Sequence, residues 1–188
     1  MSNSTLDDAY SFYANHIYDE EIINLLQQHN LKVAGHVPSV IWELFGSILT
    51  GRKGNGITGA DLQGWEVKSS TWGGSFEYQY HLNTGEHKLR EDCVVNHLFC
   101  SYSPDYREVV VKVIPGPELK ERFFDVWLPE YLTNYDRTAL STARRQRFRK
   151  AIPFGFVQQN GRTLLDVRGG IMYSKNDSLL EEFNRLVI

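Results

Sequence analysis

The sequence predicts an α/β domain in which a central mixed β-sheet is flanked by helices. Apolar residues recur at helical spacing in residues 1–50, alternate with polar residues between 60 and 114, and return to helical spacing after 117. With 188 residues, 41% of them hydrophobic, the chain is long enough for one domain with its own core. We therefore expect a single domain, 1–188, with a helical part at 1–50, a core at 51–132 and a basic part at 133–188.

Three helices are predicted before the sheet, at residues 6–18, 19–30 and 38–50. Asp19 is a suitable N-cap for the second helix, since its carboxylate can accept a hydrogen bond from a free backbone N–H. Pro38 suits the first turn of the third helix, and Gly51 suits its end. A glycine-rich loop at residues 51–59 leads from this helix to the first predicted strand.

Strands are predicted where polar and apolar residues alternate, at residues 60–72, 76–82, 94–102 and 108–114. In the first of them, Trp65 and Val67 alternate with Glu66 and Lys68, so that the two charged side chains share one face. We expect these strands to form a sheet that is contiguous in sequence.

A helix is predicted at residues 117–132, because a proline and an acid stand in its first turn. A basic stretch follows. Residues 151–159 and 162–168 are expected to form a hairpin across Asn160-Gly161, a dipeptide favoured in type I′ turns. A short helix is predicted at residues 178–187.

Composition excludes several classes of protein. The net charge of −3 disfavours a protein that coats nucleic acid without specificity, although it leaves room for a local basic face. Cys93 and Cys100 have no neighbouring ligand cluster, so we expect two buried thiols instead of a zinc site or a disulfide. No stretch approaches 18 consecutive apolar residues, which favours a cytoplasmic protein without contact to a membrane.

The chain contains three Glu-x-Lys triplets, a pattern that arises easily by chance. They are Glu66-Val67-Lys68, Glu86-His87-Lys88 and Glu118-Leu119-Lys120. The second lies in a polar run and the third opens an amphipathic helix, so both are interpreted as structural. Only the first lies in an alternating strand.

A metal site is predicted if Asp61 lies close to the triplet Glu66-Val67-Lys68. Mg²⁺ prefers oxygen ligands, and Asp61 and Glu66 offer two carboxylates if the chain bulges or turns at residues 62–64. The carbonyl of Val67 can complete the coordination, and Lys68 can orient a water and stabilise charge on a phosphate. The alternative is an exposed strand with a Glu/Lys pair of little energetic weight.

The stretch from residue 49 to residue 70 resembles type II restriction endonucleases of the PD-(D/E)xK superfamily. The Gly-Arg-x-Gly-Asn loop, the E-x-K-S strand and the segment His81-Leu82-Asn83 are similar to the PvuII-like group, and the likeness extends loosely to residue 132. One feature departs from that group. Its first acid follows Gly-Asn directly, whereas this chain has Gly56 there, and the later Asp61 gives a spacing similar to MvaI-like and MutH-like enzymes.

The resemblance implies a restriction-endonuclease-like fold and a homodimer that cuts double-stranded DNA at a short, palindromic sequence. It implies Mg²⁺ as the cofactor, with Mn²⁺ as a substitute, and no other small-molecule cofactor. Two alternatives remain: a nicking or junction-resolving nuclease of the same superfamily, and a catalytically silent DNA-binding module.

Further residues are candidates for this function. Glu43, in the helix before the loop, is a possible additional acid or a plain surface glutamate. The aromatic side of the first helix, including Tyr10 and Phe12, is expected to contact either a partner subunit or the sheet. The residues expected to contact DNA are Arg52, Lys53, Asn55, Ser70, Gln79, His81, Arg144, Arg145, Arg147 and Arg149.

Overall fold

The computed structural model describes residues 5–56, 59–134, 138, 140, 142 and 147–186. The helices are α1 (Thr5–His16), α2 (Glu20–Gln28), α3 (Ser39–Thr50), α4 (Gly85–Asp92), α5 (Gly116–Leu119), α6 (Asp125–Asn134), α7 (Phe154–Asn160) and α8 (Asp177–Leu186). A π-helical turn, Lys120–Phe124, joins α5 to α6. The strands are β1 (Trp65–Thr71), β2 (Phe76–His81), β3 (Asn96–Tyr102), β4 (Val109–Pro115), β5 (Arg147–Ile152), β6 (Arg162–Arg168) and β7 (Ile171–Lys175).

The five-stranded sheet has the order β1-β3-β4-β6-β7, with β1 parallel to β3 and the other neighbours antiparallel. This confirms an α/β fold with a mixed sheet flanked by helices. The prediction that the sheet is contiguous in sequence is wrong. Strand β2 leaves the sheet and pairs with β5 in a separate two-stranded ribbon.

The sheet separates two apolar cores. One core packs α1, α3 and α8 against β1, and the other packs the ribbon and the helices from α4 to α6 against the opposite side. Tyr13 and Ile17 of the first helical segment are fully buried, and Tyr10 and Phe12 pack against the same core. Of the two roles expected for this aromatic side, the structure therefore supports the one in which it covers the sheet.

Local signals correctly located the three N-terminal helices. The Asp19 carboxylate accepts a hydrogen bond from the Ile22 N–H at 2.9 Å, as expected for an N-cap. Gly51 ends α3 in the left-handed region, with φ of 69°. No helix in the described part of the chain is long and apolar enough to cross a membrane.

The predicted hairpin at Asn160-Gly161 is wrong. Pro153 precedes a helix, α7, that Asn160 ends, and Gly161 has φ of −77°, whereas a type I′ turn needs positive φ at both central residues. The hairpin instead joins β6 to β7 through Gly169 and Gly170, whose φ values are 59° and 78°.

Close packing between α3 and β1 holds the first strand in place. A Cβ added at Gly46 would lie 2.8 Å from the Val67 Cγ2 and 3.3 Å from the Leu98 Cδ2. We therefore expect Gly46→Ala to lower the free energy of unfolding by about 1–3 kcal/mol, because α3 or the buried Val67 side chain must shift to relieve the overlap. Urea-induced unfolding measures this change.

Gly155→Ala is the matched control. It lies in α7, and a Cβ there meets nothing within 4 Å. The control should be neutral or stabilising by up to about 1 kcal/mol. Equal destabilisation by the two substitutions would contradict the close contact between α3 and β1.

Candidate functional site

The alternation predicted for β1 is present in the structure. Trp65 and Val67 belong to the core beneath α3, whereas Glu66 and Lys68 project from the opposite face, toward the ribbon. Glu66 is only 1% exposed, so its carboxylate is among the few buried charged groups. Its charge must therefore be balanced by neighbours.

Asp61 lies against β1 because the chain reverses direction between Asp61 and this strand. Leu62 and Trp65 exchange backbone hydrogen bonds of 2.9 and 3.1 Å, and Gly64 between them has φ of 74°. The Asp61 Oδ2 accepts a hydrogen bond from the Val67 N–H at 3.0 Å, and the Asp61 N–H donates to the Glu66 Oε2 at 3.1 Å. The predicted turn between the two acids is confirmed.

Lys68 contacts both acids. Its Nζ is 2.5 Å from the Glu66 Oε1 and 4.0 Å from the Asp61 Oδ2. The ammonium also lies 5.0 Å from the centre of the Tyr78 ring, which limits where it can turn. The three residues predicted from the sequence thus converge on one point.

Lys88 is a functional candidate that the sequence interpretation missed. Its Nζ lies 2.8 Å from the Glu66 Oε2 and contacts the Asp92 Oδ1. The second Glu-x-Lys triplet was interpreted as structural because it lies in a polar run, but that run is the helix α4. The spacing of Lys88 and Asp92, four residues apart on one helix face, was the available signal.

The two acids of the site have opposite pKa shifts. Burial, followed by the charge of Glu66, raises the pKa of Asp61 to about 6, although Lys68 and the Val67 N–H oppose the shift. Burial also acts to raise the pKa of Glu66, but Lys68 and Lys88 outweigh it and lower that pKa to about 2. Glu66 is therefore a permanent carboxylate, whereas Asp61 titrates near neutrality when no cation is added.

Two cavities open beside these residues. One, of about 220 Å³, is lined by Glu66, Lys88 and the ribbon residues Glu77, Gln79 and His81, and it reaches Asp61 and Lys68. The other, of about 270 Å³, brings Glu43 of α3 to the same wall as Asp61 and Lys68. Glu43 is half-buried there, next to the candidate site.

The donor set suits a hard divalent cation. Asp61 and Glu66 supply carboxylate oxygens, and the Val67 C=O points to the same side of β1 as its N–H, which is bonded to Asp61. With Asp92, three carboxylates face the two ammonium groups of Lys68 and Lys88, so an added cation offsets the remaining negative charge. No group of three or more His, Cys, Asp or Glu side chains arranged for a metal was found among the described residues.

Four predicted DNA contacts meet on the ribbon. Strands β2 and β5 pair with Gln79 opposite Arg149 and His81 opposite Arg147, so these side chains share a face. The Gln79 amide oxygen, oriented by this network, accepts from the Arg149 Nε at 3.0 Å and from its Nη2 at 3.2 Å. The other face carries Phe76, Tyr78 and Tyr80 into the core.

Other predicted contacts do not reach these cavities. Arg52 donates a hydrogen bond of 2.8 Å to the Asn184 carbonyl and ties the glycine-rich loop to α8. The Asn55 side chain donates to the Leu62 carbonyl at 3.3 Å and supports the turn beside Asp61. Lys53 is exposed on the same loop, and Ser70 is half-buried on β1. Arg144 and Arg145 lie outside the described residues.

The comparisons with known proteins assign no family to this chain. Neither a scan against protein-family models nor a search of curated proteins returned a match.

The raised pKa of Asp61 predicts a pH-dependent cost to stability. Because the pKa rises from 3.8 to about 6 on folding, ionisation of Asp61 lowers stability as the pH climbs through this window. In the absence of divalent ions, Asp61→Asn should raise the free energy of unfolding by about 1–2 kcal/mol at a pH of about 8. The gain should fall to about 0.6 kcal/mol or less at a pH of about 4, because the folded protein binds the proton there and the unfolded chain binds it in part.

Urea unfolding in a chelating buffer at both pH values measures this effect. Asp8→Asn, an exposed aspartate in α1, is the control and should change stability by less than about 0.5 kcal/mol. A destabilising effect of Asp61→Asn at the higher pH would contradict the conclusion that burial raises the pKa of this carboxylate.

Proposed function

We propose that this protein is a Mg²⁺-dependent endonuclease of the PD-(D/E)xK kind, with a restriction-endonuclease-like fold and double-stranded DNA as its substrate. One observation carries the proposal: Asp61, Glu66 and Lys68 meet at one point, and Asp61 and Lys68 line two open cavities there. Two carboxylates can hold a divalent ion, and one ammonium group can stabilise charge on a phosphate, so the set suits metal-assisted phosphodiester hydrolysis. A structural ion pair between Lys68 and Glu66 would not require Asp61 beside it.

The residues divide the chemistry among them. Asp61, Glu66 and the Val67 carbonyl would hold the ion, with Glu43 near enough to contribute from α3. A Mg²⁺ ion held there would polarise the scissile phosphate and lower the pKa of a nearby water. Lys68 would orient the attacking water and offset the charge that develops on the phosphate.

The ribbon supports duplex DNA as the substrate. A two-stranded β-ribbon fits the major groove, which is about 12 Å wide. Its polar face carries Arg147 and Arg149, whose planar guanidinium groups suit guanine or phosphate, and Gln79, whose amide suits adenine. Because Gln79 and His81 line the same cavity as Glu66, base contact and phosphate cleavage would occur side by side.

A homodimer acting on a palindromic site in the cytoplasm of a prokaryote, as a type II restriction enzyme, belongs to this proposal. Two-fold symmetry matches one active site to each DNA strand. The aromatic side of α1 packs into the core, so the dimer contact would use another surface.

The catalytic assignment predicts a loss of cleavage that is specific to one of the three Glu-x-Lys triplets. In Mg²⁺, the wild type should cut plasmid DNA, whereas Lys68→Met should lose at least about 100-fold in rate. Asp61→Asn should lose as much, because one ligand of the ion is weakened. The assay is gel analysis of supercoiled plasmid over time.

Lys120→Met is the matched control, since Lys120 belongs to another Glu-x-Lys triplet and is 50% exposed. Its cleavage rate should equal that of the wild type. Equal cleavage by all variants would contradict the assignment of Asp61 and Lys68 to the catalytic site. Products nicked in one strand only would favour the nicking enzyme, and DNA binding without any cleavage would favour the silent module.

The ribbon assignment predicts a loss of DNA affinity at Arg149. In the Lys68→Met background, Arg149→Met should weaken binding by about 1–3 kcal/mol, because a contact to a base or phosphate is lost. Arg185→Met is the control, since Arg185 is also an exposed arginine paired with a glutamate, but on α8. Fluorescence anisotropy with labelled duplex measures both, and equal affinities would contradict the ribbon as the contact surface.

A further inference from the structure

The Glu66 carboxylate has a separate cation on each oxygen. Lys68 lies 2.5 Å from Oε1, and Lys88 lies 2.8 Å from Oε2. Lys68 comes from the same strand as Glu66, whereas Lys88 comes from α4. The two lysines therefore differ in how they are held and in what each can do.

Lys88 is fixed by a buried network. Its Nζ contacts the Asp92 Oδ1, and the Tyr80 hydroxyl donates to the Asp92 Oδ2 at 2.8 Å. Asp92 is completely buried, and the neighbouring Leu89 lies in the core on the ribbon side of the sheet. Lys88 is thus anchored through α4 to the ribbon, and its ammonium has little freedom to leave Glu66.

Lys68, in contrast, shares its partners with the proposed divalent ion. Its contacts are Glu66, Asp61 and the face of Tyr78, and the first two are the groups expected to bind a divalent ion. An ion at that position would displace Lys68 from Oε1, whereas Oε2 would keep Lys88 and the Asp61 N–H, which donates at 3.1 Å.

We propose that Lys88 is a positioning residue that holds the Oε2 of Glu66, so that Oε1 stays directed at the divalent ion. The inference rests on the proposed function in taking Glu66 as a metal ligand. Ligating carboxylates are oriented by their own hydrogen-bond partners, and loss of such a partner typically costs about 10–100-fold in metal affinity.

A purely structural role for Lys88 is the competing explanation. Asp92 is buried, so Lys88→Met alone leaves an uncompensated carboxylate and can unfold the protein. The double variant Lys88→Met/Asp92→Asn removes both charges, and the amide oxygen that replaces the carboxylate can still accept a hydrogen bond from Tyr80. If Lys88 serves only Asp92, this double variant has normal metal binding.

The test is titration calorimetry of the full chain with Mn²⁺ in the absence of DNA. We expect Lys88→Met/Asp92→Asn, and Lys88→Met where it folds, to bind Mn²⁺ at least about tenfold more weakly than the wild type. Arg90→Met is the control, because Arg90 lies on the same helix but forms an exposed pair with Glu86. Its affinity should be unchanged.

Wild-type affinity in the double variant would overturn the proposal, and so would a wild type that binds no Mn²⁺. Tighter binding in the variants would also overturn it, since Lys88 would then act only as a competing cation. A wild type that binds Mn²⁺ but leaves plasmid DNA intact would count against the proposed nuclease, while the variant affinities would still decide the role of Lys88.

Discussion

Removal of the Glu66 carboxylate from water is the constraint on which the rest of the site depends. An isolated ionised carboxylate in the protein interior is strongly unfavourable, so this one persists only because Lys68, Lys88 and the Asp61 N–H surround it. The three partners come from β1, from α4 and from the turn before β1. A fold that keeps Glu66 charged must therefore hold these three segments together, and the same arrangement brings the carboxylates of Asp61 and Glu66 close to each other.

The two cores explain how the segments are held. On one side, α3 packs so closely on β1 that Gly46 leaves no room for a side chain beside Val67. On the other, Tyr80 of the ribbon bonds to Asp92, and Leu89 of α4 enters the core. Strand β1 is thus fixed from both faces, and its charged residues line a cavity that the ribbon also borders.

The sequence predicted the parts of this arrangement that depend on local rules. Strand alternation puts Glu66 and Lys68 on one face, and a glycine permits the turn that brings Asp61 back to them, so this triad was found. Lys88 was missed because its contact with Glu66 depends on where α4 packs. The four-residue spacing to Asp92 indicates a pair on one helix face, but it does not indicate that this pair lies beside Glu66. Strand β2 was predicted, but not its departure from the sheet. Its partner β5 lies far along the chain, and pairing at such a distance has no local signal.

The failed hairpin shows the limit of a strong dipeptide signal. Asn160-Gly161 favours a type I′ turn only if extended strands flank it, and here Pro153 opens a helix that ends at the asparagine.

The ion pairs of the site and of the ribbon differ in how far they are exposed to solvent. The pair between Arg149 and Glu77 is 3.9 Å long and more than half exposed, so it contributes little and exchanges easily for a phosphate or a base. The pairs around Glu66 are buried, and Lys88 is held beside the Glu66 Oε2 by a network that includes Asp92 and Tyr80. On the proposed function, the chemical centre is therefore preformed, while the surface that meets DNA is free to adjust to it.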